Sequence, residues 1–242
     1  MEKEFYEKIN NWDFSMIKRE DENLTNWDMI DLLKKEVNEE SHVLDLGTAG
    51  GEKVLKYFPD CYVLGTDYSK EMIKTANKNL GKSGKKNIEF RIMDNLKMDV
   101  EDEFFDCVTA RHTVTDPKQI FKKLKHGGLL LIRGVDKMDC YELKRVYGKG
   151  QGFNDETPIS VIDYLNVLDA GFKDVELVPI HVREFYKTKE DLLALLMKTP
   201  ILDEFEDKEL DLVKIDEYIK NHTYEKGILL IRRYYGISAR KE

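Results

Sequence analysis

Cysteine is scarce in this chain of 242 residues: Cys61, Cys107 and Cys140 are the only three. They are scattered and odd in number, and two fall inside strand-like runs. A disulfide framework is therefore excluded, and they read as small buried apolar residues in a reducing cytoplasm. No pair has the spacing of metal ligands, so no metal site is expected. No stretch approaches the roughly 18 consecutive apolar residues of a membrane span. The opening "MEKEFYEKIN" is charged and lacks the apolar core of a signal peptide, so the expected location is the cytoplasm. An excess of basic charge is also missing. With 39 Lys and Arg against 47 Asp and Glu, the net charge of -8 argues against a broad nucleic-acid surface. Internal repeats and low-complexity linkers are absent too.

What is present is an alternation of short apolar runs with helical patterns. Mixed apolar spacing through Leu24–Val37 predicts a helix. "HVLDL" and "CYVLGTD" are buried strands, each ending in an acid. Ser69 caps a helix through Leu80 that Gly81 stops. "NIEFRIMD" and "FFDCVTA" are the third and fourth strands, and Asp116-Pro117 opens a helix to about Lys125. "GGLLLIRGV" is a fifth strand, apolar enough to be central. Thr157-Pro158 starts a helix closed by Gly171, and "FKDVELVPIHV" is a sixth strand. Thr188 caps a helix through Met197, a charged helix follows around Leu210–Ile219, and "GILLIRRYYGISA" is a last strand. Strands alternating with helices predict a parallel α/β sheet, doubly wound, with ligands beyond the carboxyl ends of its strands. Asp45, Asp67, Asp94 and Arg111 stand at those ends.

The stretch "SHVLDLGTAGGE" breaks a buried strand into small residues and resumes as a helix. Three glycine-loop chemistries compete for it. A phosphate-binding loop needs G-x-x-x-x-G-K-[ST], and "GTAGGEKV" has the wrong spacing and no hydroxyl after the lysine. A dinucleotide loop needs G-x-G-x-x-G, and Gly47, Gly50 and Gly51 do not supply it. Asp45, two residues before Gly47, suits a cation better than a pyrophosphate. Asp67 lies about the right distance on to grip a ribose diol. A ligand with a ribose and a positive charge fits best.

At this point the chain resembles the class I S-adenosylmethionine-dependent methyltransferases. "VLDLGTAGG" is similar to their first motif, with Ala49 in place of the middle glycine and Thr48 within the loop. "VLGTDYS" resembles their second motif, which makes Asp67 the ribose acid and places Tyr68 against adenine. "RIMDN" resembles the segment after the third strand, where Asp94 meets the adenine amino group with Asn95 beside it. "FFDCVTARHT" and "LKHGGLLLI" continue the likeness over about residues 40–135. The resemblance implies S-adenosylmethionine as cofactor, held by Asp45, Gly47, Thr48, Ala49, Gly50, Gly51, Asp67, Tyr68, Asp94, Asn95 and Arg111. It also implies a seven-stranded Rossmann-like methyltransferase fold, a mostly parallel sheet whose antiparallel last strand inserts between strands five and six. One domain is expected: an N-terminal helical cap (1–39), a core (40–187), a helical insertion (188–225) and the last strand (226–242).

Methyl transfer by in-line displacement needs alignment above all, and a base only for an acceptor that must lose a proton. His112, just past the fourth strand, is the candidate base, because an unperturbed imidazole titrates near neutrality. Trp12, Tyr147, Gln151 and Asn154 are candidate acceptor contacts, the first on a segment able to fold over the crevice, the others in "YGKGQGFND". The acidic balance and the lack of an RNA-binding module favour a small-molecule acceptor over RNA. An RNA base methyltransferase, a nicotinamide-dependent oxidoreductase and a non-catalytic S-adenosylmethionine binder stay open.

Overall fold

The computed structural model describes residues 14–206 and 208–242; Trp12 lies outside the described residues. Nine strands are seen among them: β1 (Arg19–Asn23), β2 (His42–Leu46), β3 (Tyr62–Asp67), β4 (Ile88–Ile92), β5 (Phe105–Arg111), β6 (Leu124–Val135), β7 (Lys173–Tyr186), β8 (Thr223–Tyr224) and β9 (Gly227–Arg240). Their order in the sheet is β1-β7-β9-β6-β5-β2-β3-β4, with β8 on β9. Two compact units divide the described chain. One holds residues 14–26, Val135–Ile159 and Pro179–Tyr234; the other holds Trp27–Gly134, Ser160–Val178 and Tyr235–Glu242.

The second unit carries the parallel sheet. Val43 pairs with Val63 and Cys107, Val63 with Ile88, and Cys107 with Leu129, all in parallel register. The period-two alternation of side chains splits its apolar residues between two faces. Leu44, Leu46, Val108, Ala110, Leu130 and Ile132 pack with Ile120, Val167 and Phe172. Val43, Val63, Cys107, Leu129 and Leu131 pack with Leu33, Val54, Ile73 and Ala76 on the other. Both faces are covered by helices, which is why the central strands read as almost unbroken apolar runs. The helices are α1 (Met29–Glu36), α2 (Glu52–Tyr57), α3 (Lys70–Ser83) and α4 (Pro117–Lys123), with α6 (Ile159–Asp169) entering from the chain that follows. At the far end of the sheet, the N–H of Gly127 donates to Lys241 O at 2.6 Å and that of Lys241 to Gly128 O at 3.0 Å, so β9 runs antiparallel to β6.

The first unit is built on α5 (Tyr141–Tyr147), α7 (Lys189–Lys198) and α8 (Glu209–His222), with β1 antiparallel to the end of β7. Leu192, Leu195 and Leu196 are core with Leu143, Tyr186, Ile215, Tyr218 and Leu230. A buried ionic network lies in the same unit. Arg232 reaches Asp139 through Nε (2.9 Å) and Nη2 (3.0 Å), and Glu184 through Nη1 (3.4 Å). Tyr186 donates its hydroxyl to Glu184 at 2.5 Å, and Arg19 approaches the same carboxylate at 3.5 Å.

Several boundaries differ from the sequence reading, each for a local reason. The helix over Leu24–Val37 is confined to α1, because the Asp28 carboxylate caps the N–H groups of Ile30 and Asp31. The segment before it is the edge strand β1, whose "REDEN" shows no apolar alternation because it covers little of the core. The described part of the expected helical cap is therefore strand and helix. Gly81 stays inside α3, and Gly84, at φ 72°, ends it. β1 and β8 raise the expected seven strands to nine.

Candidate functional site

The second unit brings most of the candidate cofactor residues to the carboxyl ends of β2–β5. After Leu46 the chain turns through Gly47 (φ 74°), Ala49 (φ 50°) and Gly51 (φ 75°) into α2. The turn's amides are mostly engaged with the protein. Gly47 and Thr48 donate to Thr66 O at 2.8 and 2.9 Å, and Gly51 donates to Thr48 O at 3.0 Å. The Ala49 N–H donates to Asp67 Oδ2 at 3.0 Å, while Ser69 N–H donates to Asp67 Oδ1 at 2.9 Å. Asp67 thus locks the glycine turn to the start of α3, a role the sequence did not disclose. Burial pushes its pKa up against the pull of those backbone donors. Each carboxylate oxygen has more than one acceptor site, so Asp67 can hold the turn and still receive hydroxyl groups.

The glycines answer to packing as much as to any ligand. A Cβ at Gly51 would stand 2.5 Å from Phe90 Cζ, and one at Gly47 2.7 Å from Thr113 Cβ. Thr113 and Phe90 are parts of the site that the motif reading missed. So is Asn79 of α3, whose Nδ2 donates to Gly50 O at 2.9 Å. Ala49 occupies left-handed backbone space without being glycine, so this departure from the motif costs conformational strain as well as room.

Asp45 lies beneath the turn, only 7% exposed, and accepts the Thr109 hydroxyl at 2.6 Å. Burial pushes its carboxyl up to about 6. The Thr109 hydroxyl, the nearby Thr48 hydroxyl and the Arg111 charge restrain the rise, and the Asp67 charge adds to it. The Thr48 hydroxyl makes no well-formed hydrogen bond of its own. Asp45 was expected as a crevice-facing partner of a cation. The structure makes it a buried support under the turn, held by the Thr109 hydroxyl.

Tyr68 is 53% exposed, as a platform for a flat ring requires. Asp94 spends Oδ1 on the N–H of Leu96 at 2.9 Å. Asn95 donates through Nδ2 to Thr113 Oγ1 (3.0 Å) and Val114 O (3.3 Å), bracing the segment after β4 against the one after β5. Its buried Oδ1 has no acceptor role among the described residues. Arg111 ends β5 in register with Arg133 of β6. His112 follows at φ 54°, exposed, with its N–H extending the ladder to Arg133 O at 2.8 Å.

Of the acceptor candidates, Tyr147, Gln151 and Asn154 fall in the other unit. Tyr147 is 4% exposed and gives its hydroxyl to Asp211 O at 2.6 Å, which makes it a packing residue and corrects the reading of it as an acceptor contact. Gln151 and Asn154 edge a hollow of about 280 Å³ with Asp155, Pro200 and Asp203. Buried Lys144 fixes that loop by donating to Gln151 O at 2.6 Å.

The chain is 27% identical over 150 residues to an arsenite methyltransferase of Halobacterium salinarum, a match to 57% of this chain and 38% of that protein. It is 25% identical over 186 residues to malonyl-[acyl-carrier protein] O-methyltransferase 2 of Ilyobacter polytropus, covering 70% of this chain and 69% of that one. In fold it resembles a Bacillus halodurans protein inferred to be a methyltransferase, at a TM-score of 0.59 and 18% identity over 88% of this chain and 98% of that one. The family model for a methyltransferase domain matches residues 37–159, just over half the chain and the whole of the glycine turn with its acids. The chain therefore belongs to the class I S-adenosylmethionine-dependent methyltransferase family.

Proposed function

We propose that this chain moves the methyl group of S-adenosylmethionine to a small-molecule acceptor by in-line displacement. The observation that carries the reading is Asp67, a carboxylate at the tip of β3 pinned by two backbone N–H groups beside an exposed tyrosine ring. A pyrophosphate-bearing cofactor suits the turn poorly, because such a ligand is held by free amides and here four of the five are spent on the protein. The names of the two curated relatives, an arsenite and a malonyl-carrier methyltransferase, favour acceptors other than nucleic acid.

When bound, S-adenosylmethionine supplies a sulfonium methyl that is already an activated electrophile. Asp67 receives the ribose hydroxyls, Tyr68 lies against the base, and Asp94 with Asn95 closes the adenine end. Asp45 and Arg111 set the field at the tips of β2 and β5. His112 takes the proton of an acceptor that must lose one.

Calorimetry with S-adenosylhomocysteine tests the cofactor assignment. Asp67→Ala is expected to weaken binding at least tenfold through the loss of charge-assisted hydrogen bonds. Unchanged affinity in a folded variant removes Asp67 from the site. For a protic acceptor, His112→Ala should lower kcat by about a hundredfold or more and leave S-adenosylhomocysteine affinity intact; a full-rate variant discards the base assignment.

A further inference from the structure

Helix α6 (Ile159–Asp169) is packed inside out. Its inward side carries Ser160, Asp163, Tyr164 and Val167. Ser160 and Val167 are buried, Tyr164 packs against the core, and the Asp163 carboxylate accepts the Tyr235 hydroxyl of β9. Its outward side carries Ile159, Val161, Ile162, Leu165 and Leu168, each 38–51% exposed. A helix at a protein surface ordinarily turns its apolar stripe to the core and its charges to water. Here "ISVIDYLNVLD" holds no lysine or arginine, and the outward side has no charge before Asp169, the last residue. That is a wide gap in a chain of which 36% of the residues are charged. Loss of charge from an apolar surface is the compositional mark of the centre of a protein interface.

The five side chains present roughly 350 Å² of apolar surface, comparable with the largest patch on a typical monomer, about 300–600 Å², which is often functional. Two copies meeting face to face would bury about 700 Å² of it, and at the roughly 65% apolar share of a homodimer interface the whole contact covers about 1,100 Å². That is just past the ~1,000 Å² a specific interface needs. A second copy satisfies the face without any charged partner, because a two-fold contact lays the same patch on itself. Leu165 stands near the middle of α6, so an axis normal to the helix there sets the two helices antiparallel, with their dipoles favourably opposed. A lipid surface fits less well. Helices that lie in a membrane interface carry lysine and arginine beside the apolar stripe, and α6 has neither, in a chain of net charge -8.

We propose that the outward face of α6 is the contact of a two-fold homodimer centred on Leu165. The inference is independent of the methyltransferase reading. Each copy carries a charge of -8, so association is opposed at long range and strengthened by screening salt, the reverse of a contact built on ion pairs. The area lies at the lower edge of stable interfaces, so a weak dimer, with Kd in the micromolar range, is expected.

Sedimentation equilibrium of the full chain, from low micromolar to several hundred micromolar, should show a monomer–dimer equilibrium whose Kd falls as sodium chloride rises. Leu165→Glu is expected to weaken the dimer at least tenfold. Glutamate also deepens the net charge, so Leu165→Lys, which lightens it, is the deciding variant and should weaken the dimer to a similar degree. Leu165 is half exposed in the single chain, so both variants should keep the fold. Should Leu165→Lys fail to fold, Val161→Lys repeats the test on the same face. A monomer across the whole range overturns the inference. So does a dimer whose Kd is unchanged in a folded lysine variant, since the contact then lies on another face. A wild-type protein that stays monomeric, sediments with vesicles of phosphatidylcholine and phosphatidylserine, and loses that binding in Leu165→Glu also overturns it, and gives the face to a lipid surface.

Discussion

At the scale of single residues, the candidate site is held by groups that act on the protein before they act on a ligand. Asp45 is the clearest. Its folded-state carboxyl is pushed up to about 6 by burial, while an unfolded aspartate ionises near 3.9. Between those values the folded state binds the additional proton, so stability rises as pH falls through 6 toward 4 and is lost as pH climbs back. A gap of that size between the folded and unfolded carboxyl corresponds to about 3 kcal/mol. Chemical denaturation at pH 8 and pH 5 should therefore show Asp45→Asn gaining on the wild type at pH 8 and losing that advantage at pH 5. A constant difference would mean Asp45 does not titrate there. Ala49 is a second case. Its left-handed backbone is costly for any residue with a Cβ, and Ala49→Gly should stabilise the protein by up to about 1 kcal/mol in urea unfolding, the relief of strain less the added freedom of the unfolded chain.

At the scale of elements, two braces hold the chain, one in each unit. The glycine turn is closed from three sides: Asp67 holds Ala49 N–H, Asn79 holds Gly50 O, and Phe90 fills the space a side chain at Gly51 would need. In the other unit, Arg232 joins β9 to the turn at Asp139 and to Glu184 of β7, with all three side chains buried. A buried ion network stabilises little over a well-packed apolar replacement, yet removing one member strands a charge. Asp139→Ala is thus expected to cost about 3–5 kcal/mol, read as a fall in the denaturation midpoint. An Asp139→Ala protein of wild-type stability would show that Arg232 finds another partner. None of this network is visible in "GILLIRRYYGISA", where Arg232 and Arg233 read as two neighbouring cations on a strand. Only the pairing of β9 decides that the first is buried on Asp139 while the second reaches Glu142 at 2.7 Å.

At the scale of the whole molecule, the described chain is organised around β2, β5 and β6, whose apolar residues on both faces are almost wholly buried. Hydrogen exchange should be slowest there and faster in the edge strands β1 and β4; the reverse order would place the stable nucleus elsewhere. The parallel strands, the caps at Ser69, Asp116 and Thr188, and the acids at the strand ends were legible in the amino-acid order, because periodicity and capping are local physics. Tertiary structure alone decided that Asp45 is buried, that Asp67 clamps the turn, that Tyr147 is packed, and that "REDEN" is a strand. Burial and pairing depend on partners far along the chain, such as Thr109 for Asp45 and Tyr186 for Arg19, and no local pattern encodes those.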